Sequence, residues 1–194
     1  MIAIIDYDAG NVKSVQNALK KLGFEAEITS DIETIENADK VIFPGVGEAS
    51  SAMKKLQERG LDAVIPNLKQ PVLGICLGMQ LMCNASEEGN TKALGIFDCE
   101  VKLFPNSDIV PHMGWNNVSK MKGKLLENIS EIDNFYFVHS YYAEIGENTS
   151  SVCDYITPFS ATLEKDNFYA AQFHPEKSGD AGFKLLENFL NLRF

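Results

Sequence analysis

A cysteine framed by two glycines is the strongest chemical signal in the sequence. Gly74-Ile75-Cys76-Leu77-Gly78 overlaps the end of the apolar run Val72–Ile75, which predicts a buried strand that turns sharply into a helix. A nucleophile on such a turn lies at the carboxyl edge of a sheet, where open α/β folds bind ligands. The N-terminus of the following helix favours the thiolate. We interpret Cys76 as a nucleophile, and Cys83, in the predicted helix after the turn, as a buried core residue.

A thiol nucleophile needs a base, and the candidates are His112, His139 and His174. His174 ends the apolar run Phe168–Phe173, and Glu176 follows after a proline that fixes the local backbone. Glu176 can accept a hydrogen bond from one imidazole nitrogen, which leaves the other nitrogen for the thiol. A lone histidine at a strand end is more often structural. Combined with the carboxylate and the glycine-framed cysteine, the pattern predicts a Cys76–His174–Glu176 triad.

A glycine-rich turn, Pro44-Gly45-Val46-Gly47, follows the predicted third strand. Adjacent parallel strands would place this turn beside the cysteine. Backbone N–H groups of Val46 and Gly47, together with that of Leu77, could then bind an oxyanion, and one such donor changes the rate by roughly 10²–10³. An ordinary strand-to-helix turn would also account for the glycines, so the turn alone is weak support.

The elements that must position these residues alternate between strand and helix in the first half. Val12, Val15, Leu19 and Leu22 form a helical stripe. Asn11 is expected to cap this helix and Gly23 to end it. The other predicted elements are the strands Ile2–Asp6, Phe24–Thr29 and Val41–Phe43, a short helix before the last of these, and a helix from about Ala49 to Glu58 that stops at Gly60. This alternation predicts right-handed crossovers and a parallel sheet.

The second half is richer in strands. Four strand-like runs are Val101–Phe104, Phe135–His139, Ser151–Ile156 and Phe168–Phe173. Several connections are too short for a helical crossover, so some pairs are expected to be antiparallel. A last helix is predicted from about Asp180 to Leu192. We expect one α/β domain over residues 1–194, with an open, mixed, mainly parallel sheet and helices on both faces, a flavodoxin-like arrangement.

Composition narrows the possible partners. Hydrophobic residues make up 45% of the sequence and charged residues 23%, and the net charge of −10 offers no basic face for nucleic acid. No apolar run approaches the roughly 20 residues that span a membrane. The spacings of the cysteines at positions 76, 83, 99 and 153 match no zinc pattern. We therefore expect a cytoplasmic, disulfide-free protein without metal or organic cofactor.

The cysteine turn and the later His-x-Glu, in this order, resemble a class I (triad) glutamine amidotransferase. Six motifs resemble one subfamily, the glutaminase subunits of imidazole glycerol phosphate synthase in histidine biosynthesis. These motifs are Asp6-Tyr7-Asp8-Ala9-Gly10-Asn11, Pro44-Gly45-Val46-Gly47, Gly74-Ile75-Cys76-Leu77-Gly78-Met79-Gln80, Pro111-His112-Met113-Gly114-Trp115-Asn116, Tyr136-Phe137-Val138-His139-Ser140-Tyr141 and Gln172-Phe173-His174-Pro175-Glu176-Lys177-Ser178. The resemblance runs from the first predicted strand to the last predicted helix.

The resemblance implies glutamine as the substrate. Cys76 would attack the side-chain amide carbon and form a glutamyl thioester with release of ammonia, while His174 moves protons and Glu176 orients the imidazole. The residues that the resemblance places around glutamine are Gln80, Glu88, Ser140 and Tyr141. Because Glu87 and Glu88 are adjacent, either of them could fill the acidic position beside glutamine. Ser140 and Tyr141 would act largely through backbone groups.

The resemblance also implies a partner. This would be a (β/α)₈-barrel cyclase that forms a heterodimer with the chain, receives ammonia through a tunnel and makes imidazole glycerol phosphate and an aminoimidazole carboxamide ribotide. The residues implied at or near the interface are Asn11, Trp115, Tyr136 and Lys177. Their alternative roles are a helix cap for Asn11, packing for the two aromatic residues and a solvated charge for Lys177.

Three other functions remain open at this point: a cysteine peptidase, a triad amidotransferase for anthranilate, guanylate or pyridoxal phosphate synthesis, and a binding module that has lost its chemistry. The residues after Pro175 and around Gln80 argue against the peptidase, and the intact triad argues against the binding module. A further hypothesis concerns regulation. If a peptide near Gly47 must rotate to bind the oxyanion, the isolated chain should be slow, and the liganded partner should shift the population toward the active conformer.

Overall fold

A computed structural model describes residues 1–193. Its strands are β1 (Ile2–Ile5), β2 (Ala26–Thr29), β3 (Lys40–Gly45), β4 (Val72–Cys76), β5 (Ala85–Ser86), β6 (Thr91–Lys92), β7 (Glu100–Leu103), β8 (His112–Asn117), β9 (Asn134–His139), β10 (Tyr141–Ala143), β11 (Thr149–Asp154), β12 (Pro158–Lys165) and β13 (Phe168–Ala171). The α-helices are α1 (Val12–Lys21), α2 (Ile32–Glu36), α3 (Ala49–Glu58), α4 (Leu61–Val64), α5 (Leu77–Leu81) and α6 (Gly179–Leu190). Short 3₁₀ turns lie at Ile65–Asn67, Glu88–Asn90, Lys124–Leu126 and Pro175–Lys177.

A seven-stranded sheet with the order β11-β12-β13-β4-β3-β1-β2 forms the centre of the fold. The pairs from β13 to β2 are all parallel, whereas β11–β12 and β12–β13 are antiparallel. Two smaller sheets accompany it, one with the order β10-β7-β5-β6 and one formed by β8 and β9. The expected mixed, mainly parallel sheet and the antiparallel pairs of the second half are therefore confirmed.

Helices cover both faces of the central sheet, as expected. Side chains along β1 alternate between two buried cores because successive residues of a strand point to opposite faces. Ala3 and Ile5 pack in a core shared with α2, α3 and α4, and Ile2 and Ile4 pack in a second core with α1 and α6. This double burial explains why the parallel strands are continuous apolar runs.

The ends of α1 agree only in part with the sequence-based expectation. Gly23 follows the helix with φ 84°, a left-handed conformation that glycine adopts easily, and so ends it as predicted. Asn11 occupies the N-cap position, but its side chain makes no capping hydrogen bond. Only the Asn11 carbonyl oxygen acts there, accepting from the N–H groups of Ser14 and Val15. The predicted N-cap position of Asn11 is confirmed, but the side-chain hydrogen bond usual for such a cap is absent.

Several local predictions differ from the structure. The run Ser151–Ile156 ends as a strand at Asp154, and the unpredicted strand β12 begins at Pro158, a residue that a strand tolerates at its first position. β3 extends through Pro44 and Gly45, whereas the sequence predicts both residues in the turn after it. Cys83 lies after the end of α5 rather than inside a helix, although it is fully buried.

Candidate active site

Cys76 lies in a strained turn between β4 and α5. Its φ of 54° and ψ of −111° are rare for a residue with a side chain, and such strain is common at functional positions. The flanking glycines permit close packing. A Cβ atom on Gly78 would lie 1.9 Å from the Phe43 carbonyl oxygen, and one on Gly74 would lie 2.5 Å from the Met82 sulfur. The geometry is that of a nucleophile elbow.

Three neighbouring strands end at the same edge of the sheet and bring the predicted residues together. Gly45 at the end of β3 pairs with Cys76, so the glycine turn begins beside the nucleophile. On the other side of β4, Ala171 of β13 pairs with Ile75, and the chain continues from there to His174. The carboxyl edge of the parallel sheet thus holds all parts of the predicted triad.

His174 and Glu176 form a buried pair. The distance between His174 Nδ1 and Glu176 Oε1 is 2.8 Å, and the side chains are 2% and 1% exposed. Because the carboxylate accepts the Nδ1 proton, Nε2 is the nitrogen available for other chemistry. Nε2 is buried and makes no hydrogen bond among the described residues, so it is free to exchange a proton with a thiol or a leaving group.

The environment of His174 favours the imidazolium. Burial lowers the pKa of His174, but the neighbouring Cys76 sulfur and the Glu176 carboxylate outweigh this effect and raise that pKa to about 10. His174 Nε2 forms no hydrogen bond with the Cys76 sulfur, whereas Nδ1 is hydrogen-bonded to Glu176. We therefore attribute the raised pKa of His174 mainly to Glu176. A charged histidine beside a thiol is the arrangement that activates cysteine nucleophiles.

The three residues predicted for the oxyanion hole line one cavity with the nucleophile. These residues are Val46, Gly47 and Leu77. Gly47 has a φ of 103°, which residues with a side chain rarely adopt, so the peptides around it can take orientations closed to other residues. The helix after Cys76 is only five residues long. First-turn N–H groups, rather than a long helix dipole, are therefore what α5 offers to an anion.

The cavity has a volume of about 440 Å³, within the range of pockets that bind small molecules. All four residues predicted to surround the substrate line it. The full lining is Val46, Gly47, Cys76, Leu77, Gln80, Glu88, Pro111, Val138, His139, Ser140, Tyr141 and His174.

Gln80 holds the cavity wall in place. Its Nε2 donates to the Tyr141 carbonyl oxygen at 2.9 Å and to Gln172 Oε1 at 3.0 Å. Both amide protons are therefore used within the protein, and only the Gln80 carbonyl oxygen remains for another partner. The geometry makes Gln80 a support for the Tyr141 segment as well as a lining residue.

The structure distinguishes the two adjacent acidic residues. Glu88 lines the cavity, and its Oε2 accepts a hydrogen bond of 2.8 Å from the Ala49 N–H at the start of α3. Burial raises the pKa of Glu88, the Ala49 N–H opposes this rise, and the Glu48 carboxylate adds to it. Glu87 instead accepts from the Leu103 N–H at 2.7 Å, away from the cavity.

The aromatic residues predicted at the partner interface are adjacent and accessible. Trp115 of β8 pairs with Tyr136 of β9, and their rings meet edge to face with centroids 5.9 Å apart. Trp115 is 59% exposed and the neighbouring Met113 is 63% exposed. Large apolar side chains this exposed on one strand are typical of an interaction surface.

Backbone contacts connect this surface to the triad. The Tyr136 carbonyl oxygen accepts from the His174 N–H at 2.9 Å, and the Tyr136 N–H donates to Ser178 Oγ at 2.9 Å. Lys177 is exposed on the turn between His174 and Ser178. α1, which begins after the half-buried Asn11, packs against this turn. The four predicted interface residues therefore lie on neighbouring elements.

Two residues of the site escaped the sequence-based reasoning. Gln172 is fully buried, and its Nε2 lies 3.8 Å from Cys76 Sγ. It precedes His174 by two positions, and a strand continued from the predicted run Phe168–Phe173 would place both on one face, although β13 ends at Ala171. His139 also lines the cavity, although the sequence assigns the role of base to His174. The available signal for both was a polar side chain within or at the end of an apolar run of the sequence.

Within residues 1–193, the structure holds no group of three or more histidine, cysteine or acidic side chains arranged for a metal. The cysteines at positions 76, 83, 99 and 153 are all buried and free. Across the same residues, no helix has the length and apolar character needed to cross a membrane.

Known proteins resemble this chain over nearly its whole length. The model of the glutamine amidotransferase class-I family matches residues 3–192. The chain is 58% identical to imidazole glycerol phosphate synthase subunit HisH from Bacteroides fragilis, over 98% of this chain and 99% of that protein. It is 46% identical to the subunit of the same name from Vibrio parahaemolyticus, over 98% of each.

A crystal structure of glutamine amidotransferase has the same fold, with a TM-score of 0.75 and 20% sequence identity over 98% of this chain and 97% of that one. The family model covers the elbow, the cavity and the His174–Glu176 pair together. The chain therefore belongs to the class I glutamine amidotransferase family.

Proposed function

We propose that the chain hydrolyses glutamine to glutamate and ammonia as the glutaminase subunit of an imidazole glycerol phosphate synthase. The observation that carries this proposal is the convergence of Cys76 and the His174–Glu176 pair on one cavity, in a chain similar to subunits of that name. The remaining steps follow from the chemistry of those groups.

In the first half of the reaction, the Cys76 thiolate attacks the side-chain amide carbon of glutamine. Negative charge moves to the amide oxygen, where N–H groups of the Gly47 turn and of Leu77 stabilise it. The His174 imidazolium gives its Nε2 proton to the amide nitrogen. The C–N bond then breaks, ammonia leaves, and a glutamyl thioester remains on Cys76.

In the second half, a water molecule replaces ammonia. His174 Nε2 accepts a proton from this water as its oxygen attacks the thioester carbon. The C–S bond breaks, glutamate forms, and the Cys76 thiolate and His174 imidazolium are restored. Glu176 keeps its bond to Nδ1 throughout, so the same nitrogen of His174 serves both halves.

Glu88 and the Ser140–Tyr141 segment are proposed to hold the amino-acid end of glutamine. A carboxylate facing a small cavity suits the α-ammonium group, and backbone N–H groups of the Ser140–Tyr141 segment suit the α-carboxylate. The cavity volume of about 440 Å³ suits one amino acid and gives little support to a peptidase, which needs an open groove for a chain.

The proposed partner is a (β/α)₈-barrel cyclase. Ammonia is protonated in water and then no longer nucleophilic, so its transfer needs a closed path to the second active site. The exposed pair Trp115 and Met113, next to Tyr136, supports an interface on this side of the cavity. The barrel would use the ammonia to form imidazole glycerol phosphate and the aminoimidazole carboxamide ribotide.

The test is glutamate formation by the chain alone, with the cognate barrel, and with the barrel plus its nucleotide substrate. We expect slow hydrolysis by the chain alone and fast hydrolysis in the liganded complex, because the Gly47 turn would reach its active orientation there. Full activity of the isolated chain would contradict this regulation. Stimulation by an anthranilate or guanylate synthase partner instead would assign the chain to another pathway.

A further inference from the structure

A row of polar side chains, Asn116, His112 and His139, joins β8 to the cavity. His112 and His139 face each other across the β8–β9 pair, with 2.9 Å between His112 Nδ1 and His139 Nε2. His139 Nδ1 lies 2.7 Å from the Tyr141 carbonyl oxygen. Asn116 Nδ2 lies 3.4 Å from His112 Nε2. Both imidazoles are buried, so these contacts replace hydrogen bonds to water.

These contacts determine where the ring protons sit. A carbonyl oxygen can only accept, so His139 Nδ1 carries a proton and donates it to Tyr141. In the neutral ring, His139 Nε2 is then an acceptor, and His112 Nδ1 must be its donor. His112 Nε2 in turn accepts from the Asn116 amide. Both rings are neutral in this arrangement, in agreement with burial, which lowers the pKa of His139 to about 3 and that of His112 to about 4.

The Tyr141 carbonyl oxygen is a shared acceptor in the cavity wall. It accepts from His139 on one side and from Gln80 Nε2, at 2.9 Å, on the other. Gln80 also donates to Gln172, whose Nε2 lies 3.8 Å from Cys76 Sγ. The imidazole pair therefore supports the same carbonyl as the amides that reach the nucleophile.

β8 carries members of this row on one face and exposed apolar side chains on the other. Side chains alternate along a strand, so His112 and Asn116 point inward while Met113 and Trp115 are exposed on the opposite face. The imidazole pair and the exposed side chains are therefore connected through the backbone of β8.

We propose that His112 and His139 are positioning residues that fix the Ser140–Tyr141 wall of the cavity for glutamine binding and tie it to β8. The proposal rests on the glutamine hydrolysis proposed above. The alternative is that both rings only fill space, because they also pack against Phe159, with centroid distances of 5.9 Å and 5.0 Å.

The first test does not depend on activity. Long-range ¹H–¹⁵N correlation spectra of the full chain at neutral pH report which nitrogen of each imidazole carries the proton. We expect both His112 and His139 to be neutral with the proton on Nδ1. A proton on Nε2 of either ring, or a charged ring, would overturn the assigned row of hydrogen bonds.

The second test is kinetic and uses the complex with the barrel and its nucleotide. His139→Leu removes the donor to Tyr141, and we expect KM for L-glutamine to rise about 5- to 10-fold while kcat stays within about 3-fold. His139→Asn places an amide nitrogen near the position of Nδ1, and it should return KM to within about 2-fold of the wild type. If the leucine variant does not fold, His139→Gln moves the donor away and should show the same rise.

Phe159→Leu is the matched control, because it loosens the same cluster and leaves every hydrogen bond of the row intact. Equal KM increases in the leucine and asparagine variants at position 139, or an equal increase in Phe159→Leu, would mean that packing alone is involved. If the wild-type complex forms no glutamate, the proposed function fails, and the spectra still decide whether the row exists.

Discussion

Neutralising Glu176 should separate catalysis from stability. Its Oε1 accepts the His174 Nδ1 proton at 2.8 Å, whereas its buried Oε2 has no partner among the described residues. Glu176→Gln preserves the size of the side chain and removes its charge. We expect a folded protein that has lost most of its glutaminase activity.

The size of the loss follows from the charge pair. An imidazolium and a carboxylate with charge centres about 4 Å apart attract each other by about 4 kcal/mol at an effective dielectric constant of about 20. The proposed mechanism needs the His174 imidazolium to protonate the departing ammonia. Loss of this attraction should lower kcat by about 10³, since about 1.4 kcal/mol corresponds to a factor of ten. A glutamine amide can also donate to Nδ1 and impose the wrong tautomer.

Although activity falls, the free energy of unfolding should rise or stay unchanged. Burial of a carboxylate with one unpaired oxygen opposes folding, and the amide removes that charge. His174 need not remain as an unpaired buried cation, because without Glu176 it can lose its proton. We expect the free energy of unfolding of Glu176→Gln to equal or exceed that of the wild type.

The assay is steady-state glutamate formation in the liganded complex, with urea unfolding of the isolated variants. Glu164→Gln is the matched control, because Glu164 is also a partly buried carboxylate, bonded to the Leu125 N–H at 3.2 Å and outside the cavity. Its kcat should be unchanged. A kcat for Glu176→Gln within 10-fold of the wild type would refute the reasoning, as would an activity loss matched by a large loss of stability.

Three other changes give separate tests. Gly78→Ala puts a Cβ 1.9 Å from the Phe43 carbonyl oxygen of β3 and should lower the free energy of unfolding by about 3 kcal/mol or more. Gly146→Ala is the control, because its Cβ would lie 3.6 Å from the nearest atom, the Asp98 carbonyl oxygen, and it should be tolerated. Equal urea midpoints for the two variants would contradict this prediction. Glu88→Gln should raise KM for glutamine at least about 10-fold with little change in kcat, and Glu87→Gln should not; similar KM values would place the ammonium site elsewhere. Because burial lowers the pKa of His139 to about 3, acidification protonates this imidazole in the unfolded chain before it does so in the folded chain. The free energy of unfolding should therefore fall between pH 7 and pH 5 by about 2 kcal/mol more in the wild type than in His139→Asn. Equal decreases in the two proteins would exclude this linkage.

The fold was predictable where burial produces simple patterns. The parallel strands β1, β3 and β4 are apolar runs because helices cover both of their faces. β12 escaped detection because it buries polar residues. Ser160 and Thr162 are fully buried and pair with hydroxyls of β11 at 2.7 Å. Such pairing becomes visible only when the two strands are side by side.

The site was predictable in its local motifs and incomplete in its long-range contacts. The elbow and the His174–Glu176 pair each occupy a few consecutive residues, and the sheet then brings them together. Gln172 lies beside Cys76 only because β13 pairs with β4. The His112–His139 contact likewise depends on the register of β8 and β9, which local sequence does not specify.

The most direct test of the central claim is the identity of the covalent intermediate. The liganded complex is stopped with acid during steady-state turnover of glutamine, and the digested chain is mapped by mass spectrometry. The account predicts a glutamyl group on the peptide that contains Cys76, and its complete absence, together with loss of glutamate formation, in Cys76→Ala. A glutamyl group on another residue, or glutamate formation that survives Cys76→Ala, would contradict the account.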